Sequence, residues 1–156
     1  MSIPDNVKVI GVNRRARFDY YIDDTFECGI QLLGTEVKSV KEGRISFPDA
    51  FAEVRAGEVW LKNFRIAQYS FSSVFNHEPD RPRKLLLHAQ EIKRIDRRVR
   101  EKGNTLALLS VYLKHGLVKV EIGLCKGKKA YDKRADIKER DMNMELRREF
   151  RERQRD

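Results

Sequence analysis

Lysine and arginine are the side chains that this sequence groups tightly enough to do chemistry. Lys126-Gly127-Lys128-Lys129 runs on to Asp132-Lys133-Arg134. Such cations neutralise phosphates, and a glycine among them lets a backbone approach closely. The run therefore suits a phosphate track, with a solvated charged segment as the plainer account. Two more groups favour a polyanionic partner: Arg81, Arg83 and Lys84, then Lys93, Arg94, Arg97, Arg98, Arg100 and Lys102. Aromatic rings would add stacking surfaces for bases. Tyr20, Tyr21, Tyr112 and Tyr131 are the candidates, although tyrosines of a small domain are often core. Tyr131 ranks first because it lies inside the basic run.

Other chemistries find less support. Gly123 to Lys129 reads G-x-x-x-G-K-K, one spacer short of a phosphate-binding loop and without the Ser or Thr that would hold magnesium. Cys28 and Cys125 lie in apolar stretches and read as free buried thiols. The histidines, His77, His88 and His115, are scattered, so no metal site is expected. The acids mostly neighbour Lys or Arg, as surface pairs do. Asp23-Asp24 is the nearest thing to a carboxylate cluster and reads as a turn. Neither an enzyme nor a cofactor is expected. The 156 residues carry 33 Lys and Arg against 24 Asp and Glu, a net charge of +9 that fits nucleic acid first and an anionic membrane second. No apolar run reaches the length of a membrane span, and Met1 to Gly11 lacks the basic-then-apolar order of a signal peptide. A cytoplasmic location is expected.

The elements that must position these groups read as strands with few helices. Phe26, Cys28, Ile30 and Leu32 alternate toward a core, leaving Glu27 and Gln31 outward. Thr35 is the expected cap of a short helix that Gly43 ends, with Lys38, Lys41 and Arg44 on its solvent side. Residues 51–55 and 58–66 read as a hairpin around Ala56-Gly57, and 70–83 as a long loop. Residues 90–102 form a helix with the stripe Ile92, Ile95, Val99 and a stop at Gly103. A second hairpin, 105–113 and 117–125, turns at His115-Gly116. In its second arm Val118, Val120, Ile122 and Leu124 face one way, and Lys119, Glu121 and Gly123 the other. Strands joined mostly by short connections predict a mainly β fold: a small antiparallel barrel of the oligonucleotide-binding kind, with flanking helices.

Apolar residues nearly vanish after Lys126. Residues 126–156 hold five lysines and seven arginines against eight acids. Such a segment cannot bury enough surface to offset its ordering entropy, so a basic, intrinsically disordered C-terminal tail is expected. Met142, Leu146 and Phe150 fall four residues apart, a narrow apolar stripe for a helix that forms on a partner. A merely solubilising tail is the alternative. The expected division is a barrel domain over 1–130 and a tail over 131–156.

The motifs together resemble one family. They are Asn13-Arg14-Arg15-Ala16, Phe18-Asp19-Tyr20, Phe26-Glu27-Cys28-Gly29-Ile30, Gly34-Thr35-Glu36-Val37-Lys38-Ser39 and Asn76-His77-Glu78-Pro79. Arg83-Lys84-Leu85-Leu86-Leu87-His88, Lys119-Val120-Glu121-Ile122-Gly123-Leu124 and the basic run close the series. In unbroken order over about 7–140 they resemble small protein B, the SsrA (transfer-messenger RNA)-binding family of bacterial trans-translation. The resemblance implies a barrel that binds the tRNA-like domain of transfer-messenger RNA and delivers it to stalled ribosomes. Elongation factor Tu and alanyl-tRNA synthetase would be partners through that RNA. The tail would turn helical in the empty mRNA channel at the decoding centre, and the protein would act as a monomer, away from membranes.

Carried over by motif, the implied RNA-binding residues are Asn13, Arg14, Tyr20, Glu27, Leu86, Lys119, Lys126, Lys128, Lys129, Tyr131, Lys133 and Arg134. The implied ribosome contacts of the tail are Asp132, Lys133, Arg134, Lys138 and Arg140, where the carry-over stops; Met142, Leu146 and Phe150 join them as expected contacts on their apolar spacing alone. Position 131 is Tyr where some members carry His, so stacking survives there and a protonated imidazole does not. Glu27 is unusual in an RNA site. It either accepts hydrogen bonds from base amino groups or orients a neighbouring cation. A structural ribosomal protein with a basic extension is the alternative reading, and an RNA-cleaving enzyme a weaker one.

Overall fold

The computed structural model describes residues 7–71, 75–127 and 130–155, side chains at 101–102, 130–133, 135–136 and 149–155 excepted. The elements run β1 (Val7–Val12), α1 (Arg14–Asp19), β2 (Tyr20–Ile30), α2 (Gly34–Lys41), β3 (Ile45–Ser46), β4 (Phe51–Arg55), β5 (Glu58–Lys62) and β6 (Arg65–Ile66). They continue with β7 (Arg83–Leu86), α3 (Ala89–Lys102), β8 (Thr105–Lys114), β9 (Leu117–Gly127) and α4 (Ala130–Arg155).

Strands β8, β4, β5, β7, β2 and β9 pair in that order, and β9 returns to β8, closing an antiparallel ring. Closure leaves no open edge among these strands. β8 serves three partners. One edge pairs with β9 throughout, while the other gives Leu106 and Ala107 to β4 and Ser110 to Lys114 to β1. Register shifts at Ile22/Asp24, Val9/Gly11 and Leu108/Ser110 insert extra residues that bend the strands round the barrel. The inward residues, among them Phe26, Cys28, Val59, Leu61, Leu85, Leu108, Val120, Ile122 and Leu124, form one core. Val40 of α2 and Ile95 of α3 join it with no exposed surface, each contributing about 1.5–3 kcal/mol by burial.

The mainly β barrel with flanking helices is as the pattern predicts, and α3 and the second hairpin lie where expected, within two residues. Four local readings change. The segment 58–66 is not one strand: Asn63 takes a left-handed φ of 59° and ends β5, and Arg65–Ile66 then pair with β3 instead. Asn tolerates that conformation better than most side chains. Leu33, not Thr35, caps α2, because the Glu36 carboxylate takes the Leu33 N–H (2.8 Å) and frees the Thr35 hydroxyl for His77. Asp23-Asp24 is not a turn, since β2 runs through it. Gly123 faces α1's side of the sheet rather than solvent. There Ala16, Ala107, Leu109 and Cys125 make a second small core, and a Cβ on Gly123 would stand 2.7 Å from Leu109 Cδ1.

α4 is a continuous helix in the structure, and its described side chains, 134 and 137–148, are exposed. Its body contact is with α1, where the Arg140 guanidinium lies 5.3 Å from the Phe18 ring centroid.

Candidate nucleic-acid interface

Strand register gathers the first group of site residues. Gly29 of β2 pairs with Leu86 of β7 on one side and Lys119 of β9 on the other. Lys119 pairs in turn with Tyr112 of β8, and Tyr112 with Val9 of β1. Residues paired across strands point to the same face. Val118 and Val120 belong to the core side, so this row points outward. Leu86 is 46% exposed and Val9 59%. Gly29 keeps the row low, since a Cβ there would come within 3.2 Å of Leu86 Cβ. The next outward row is Glu27, Glu121, Ser110 and Val12.

Glu27 stands between the rows. Its carboxylate accepts the Tyr112 hydroxyl and the Lys114 ammonium (3.2 Å). The Tyr112 hydrogen bond, helped by Lys114 and Lys119 against partial burial, holds the Glu27 carboxyl below the ordinary carboxylate range. Burial and the same bond push the Tyr112 hydroxyl up, so it stays protonated and keeps donating. The contact with Lys114 is the geometry that the cation-orienting reading of Glu27 calls for. Its carboxylate is matched by a positive charge, which lessens the repulsion a bare anion would exert on another anion.

A second group lies at the other end of β2. Tyr20 is seven residues from Glu27, about 23 Å along the strand. It is half-buried against the Ala16, Ala107, Leu109, Cys125 cluster and pairs with Gly127, beside exposed Lys126. Arg14 is exposed at the start of α1. Asn13, from the expected set, serves the fold. It is buried, its Nδ2 donates to the Leu108 carbonyl (2.9 Å), and its Oδ1 accepts the Ala16 N–H (3.1 Å). With both ends engaged it caps α1 and positions Arg14.

The basic loop needs a larger correction. Arg83 has no exposed surface, and its Nε donates to the equally buried Glu36, with further bonds to the carbonyls of Phe64 and Pro79. Arg81 donates to the same carboxylate (2.6 Å). Burial works to raise the Glu36 carboxyl, but hydrogen bonds from Arg81, the Leu33 N–H and Arg83 outweigh it and hold the group below its ordinary value. Arg81 and Arg83 therefore tie the chain just before and at the start of β7 to α2, and their guanidinium groups are spent on Glu36 rather than offered to phosphates. On α3, Arg94 (2.8 Å) and Arg98 (3.8 Å) pair with Asp24, while Lys93 and Arg97 are exposed.

Lys128 and Lys129 lie outside the described residues, as do the side chains of Tyr131, Asp132, Lys133 and Phe150. Arg134, Lys138, Arg140, Met142 and Leu146 are exposed along α4. Sequence reasoning missed Tyr112 as the partner of Glu27, and Lys114 altogether. The available signal was that Tyr112 and Lys114, two residues apart in one strand, share a face. The buried Glu36–Arg83 pair gave no signal, because each residue reads alone as surface charge.

Among the described residues no three His, Cys, Asp or Glu side chains gather to hold a metal ion, and no helix is long and apolar enough to cross a membrane.

Residues 10–152 match the family described as SmpB protein. The chain is 59% identical over 144 residues to an SsrA-binding protein of Treponema denticola, covering 92% of this chain and 94% of that one. It is 53% identical over 146 residues to one of Thermobifida fusca, covering 94% and 91%. A solved structure described as "tmRNA-SmpB: a journey to the center of the bacterial ribosome" contains a similar chain. The two superpose with a TM-score of 0.65 at 48% identity, over 77% of this chain and 85% of that one. A barrel whose outward row carries the family motifs in register, matched along nearly its whole length, belongs to the SmpB protein family.

Proposed function

We propose that this chain binds the tRNA-like domain of transfer-messenger RNA through the outward face of β7, β2, β9 and β8, and carries it to stalled ribosomes. The observation that carries this reading is the row Leu86–Gly29–Lys119 beside Glu27, a surface with an apolar contact, a cation and an oriented acceptor within two residue rows. Arg14, Tyr20 and Lys126 extend it toward the root of the arm, with Lys128, Lys129, Tyr131, Lys133 and Arg134 following in sequence. The relatives' description as SsrA-binding proteins, and the neighbour's with tmRNA on a ribosome, support the same partner.

Residues 131–156 act as a separate arm, disordered alone and helical in the empty mRNA channel at the decoding centre. Asp132, Lys133, Arg134, Lys138 and Arg140 meet the channel's phosphates and polar groups, and Met142, Leu146 and Phe150 form the arm's apolar stripe. Elongation factor Tu and alanyl-tRNA synthetase engage the complex through the RNA. The protein works in the cytoplasm as a monomer, without a cofactor and without catalysis.

One experiment tests both halves. Sequencing the RNA that co-purifies with the full chain and with a chain ending at Arg134 returns transfer-messenger RNA from both, while only the full chain restores tagging at stalled ribosomes. Recovery chiefly of ribosomal RNA, with the protein held on one subunit in high salt, would instead mark a structural ribosomal component. Loss of the RNA on truncation would move the main site to the arm.

A further inference from the structure

Phe71, in the segment after β6, holds its ring in water. Phe71 is 81% exposed and Phe75 87%. The Tyr69 and Phe71 rings meet edge to face, 5.5 Å between centroids. An outward ring forgoes the gain that a large apolar side chain has on burial. The chain on either side of it is firmly fastened. Asn76 clips the two ends together: its Nδ2 donates to the Tyr69 carbonyl (2.9 Å) and its Oδ1 accepts the Tyr69 N–H (3.2 Å). The Gln68 amide donates to the His77 carbonyl (3.3 Å). His77 is buried, its Nε2 donating to the Ile66 carbonyl (2.9 Å), which leaves Nδ1 to accept the Thr35 hydroxyl (2.9 Å). The Ala67 N–H bonds to the Arg44 carbonyl (3.0 Å). The loop root is fastened to α2 and the turn after it, and Phe71 extends from that base.

What lies beside them is positive. Lys38 Nζ sits 5.2 Å from the Tyr69 centroid, and Arg44 donates to the Ser70 hydroxyl. Lys41 is exposed on the same short helix. Of the two acids on α2 and its C-terminal turn, Glu36 is consumed by Arg81 and Arg83, and only Glu42 faces solvent. An exposed ring against a half-buried one, flanked by cations, is an arrangement that holds unpaired nucleotides: bases stack on the rings while phosphates meet the ammonium and guanidinium groups. Paired RNA offers no free base faces to such a site. This surface shares no residue with the Leu86–Gly29–Lys119 row.

We infer that Tyr69 and Phe71, with Lys38, Lys41 and Arg44, form a second RNA contact that takes an unpaired segment, separate from the barrel face that binds structured RNA.

The test uses the full chain with two fluorescent probes, a hexa-adenylate and a short RNA duplex, read by anisotropy. Phe71→Ala is expected to weaken hexa-adenylate binding about tenfold, Phe71→Trp to retain it, and Lys119→Ala to leave it unchanged. Duplex binding is expected to ignore both Phe71 substitutions. Lys38→Gln with Arg44→Gln should lower the salt slope for hexa-adenylate by about 1.4 units, since two phosphate contacts disappear. Because Phe71 is exposed, the thermal midpoint should stay put, which separates a binding loss from unfolding. Equal hexa-adenylate affinity of Phe71→Ala and the unsubstituted chain would overturn the inference. So would loss of that binding in Lys119→Ala, which would place the oligonucleotide on the barrel face. Concentration-dependent dimerisation in sedimentation, abolished by Phe71→Ala, would overturn it too, by assigning the rings to a second copy of the chain.

Discussion

Replacing Tyr112 by Phe removes one oxygen and leaves the ring where it packs. The lost contact is the hydroxyl's bond to Glu27 Oε2, after which that carboxylate keeps Lys114 at 3.2 Å. Hydrogen bonds to charged groups contribute roughly 1.5–3 kcal/mol, and the Glu27 side chain is 43% exposed, so solvent screening brings the expected loss to about 1 kcal/mol. For a chain of this size that lowers the thermal midpoint by about 2–4 °C. A carboxylate no longer fixed by Tyr112 also presents Lys114 less steadily. If the full 1 kcal/mol is transferred to binding, affinity for the tRNA-like RNA falls about fivefold. The acid titration supplies the sign. Glu27 titrates below the ordinary carboxylate range chiefly because Tyr112 donates to it. A group with a lowered folded-state value adds stability that is complete above its unfolded value and disappears as pH falls through the lowered one. The stability gap between the unsubstituted chain and the Tyr112→Phe variant is therefore widest near neutrality and closes in acid. Carbon-detected titration of Glu27, urea unfolding at several pH values and RNA anisotropy measure the three parts. An unmoved Glu27 titration would refute the positioning role outright. Weaker RNA binding with that titration unmoved would assign the effect to the Tyr112 ring surface instead.

Three further outcomes are expected. Glu36→Gln leaves the buried Arg83 guanidinium without its counter-charge and should cost about 3–5 kcal/mol in urea unfolding. Because the Glu36 carboxyl is held low, its contribution is complete above the ordinary carboxylate range and is lost as pH falls through the lowered value, so the deficit should shrink in acid. Lys119→Ala should flatten the dependence of log affinity on log salt by roughly 0.7–0.9 units, against a full slope near −4 to −5 for about six phosphate contacts; an unchanged slope removes Lys119 from the phosphate set. Cys28 and Cys125 are buried, with desolvation pushing their thiols to about 12 and about 11. Ellman's reagent should meet neither in the native protein near neutrality and both after denaturation.

What could be read from the chain follows the range of the forces involved. α3 was legible because Ile92, Ile95 and Val99 write its inner face and Gly103 its left-handed stop, φ 63°. Both hairpin turns were legible as well. Ala56-Gly57 and His115-Gly116 hold positive φ in both residues, the geometry that matches strand twist. α1 escaped because its one inward residue, Ala16, is too small to mark a periodicity, and its cap, Asn13, is justified by carbonyls distant in sequence. Asn63 escaped because left-handed Asn is a local option that the Phe64 and Ile66 packing selects. At the interface, alternation identified Glu27 and Lys119 as outward. It could not tell that Gly29 brings Lys119 into line with Leu86, since register across strands is written in no single segment. Charge misled most. Arg83 looks like Lys84 in sequence, yet one is sealed against Glu36 and the other reaches Glu58 at the surface.

α1 also decides where the RNA face begins. It covers the outer side of β8 and β9 at Ala107, Leu109 and Cys125, and Gly123 makes room for Leu109 beneath it. Only the other half of those strands, from Ser110 to Lys114 and from Lys119 to Glu121, remains open outward. β9 therefore presents Lys119 at its open half and ends at Gly127, eight residues or about 26 Å further on, where the arm departs. A strand covered for half its length separates two engagements in space. On the proposed function, structured RNA occupies the open half and reaches along Arg14, Tyr20 and Lys126 to the arm's root, while the arm from Arg140 onward, which lies against Phe18 of α1, stays available to a different partner. Had α1 packed over the Lys119 half, the whole of the proposed RNA face would be gathered at the arm's root, and RNA and ribosome would compete for one surface.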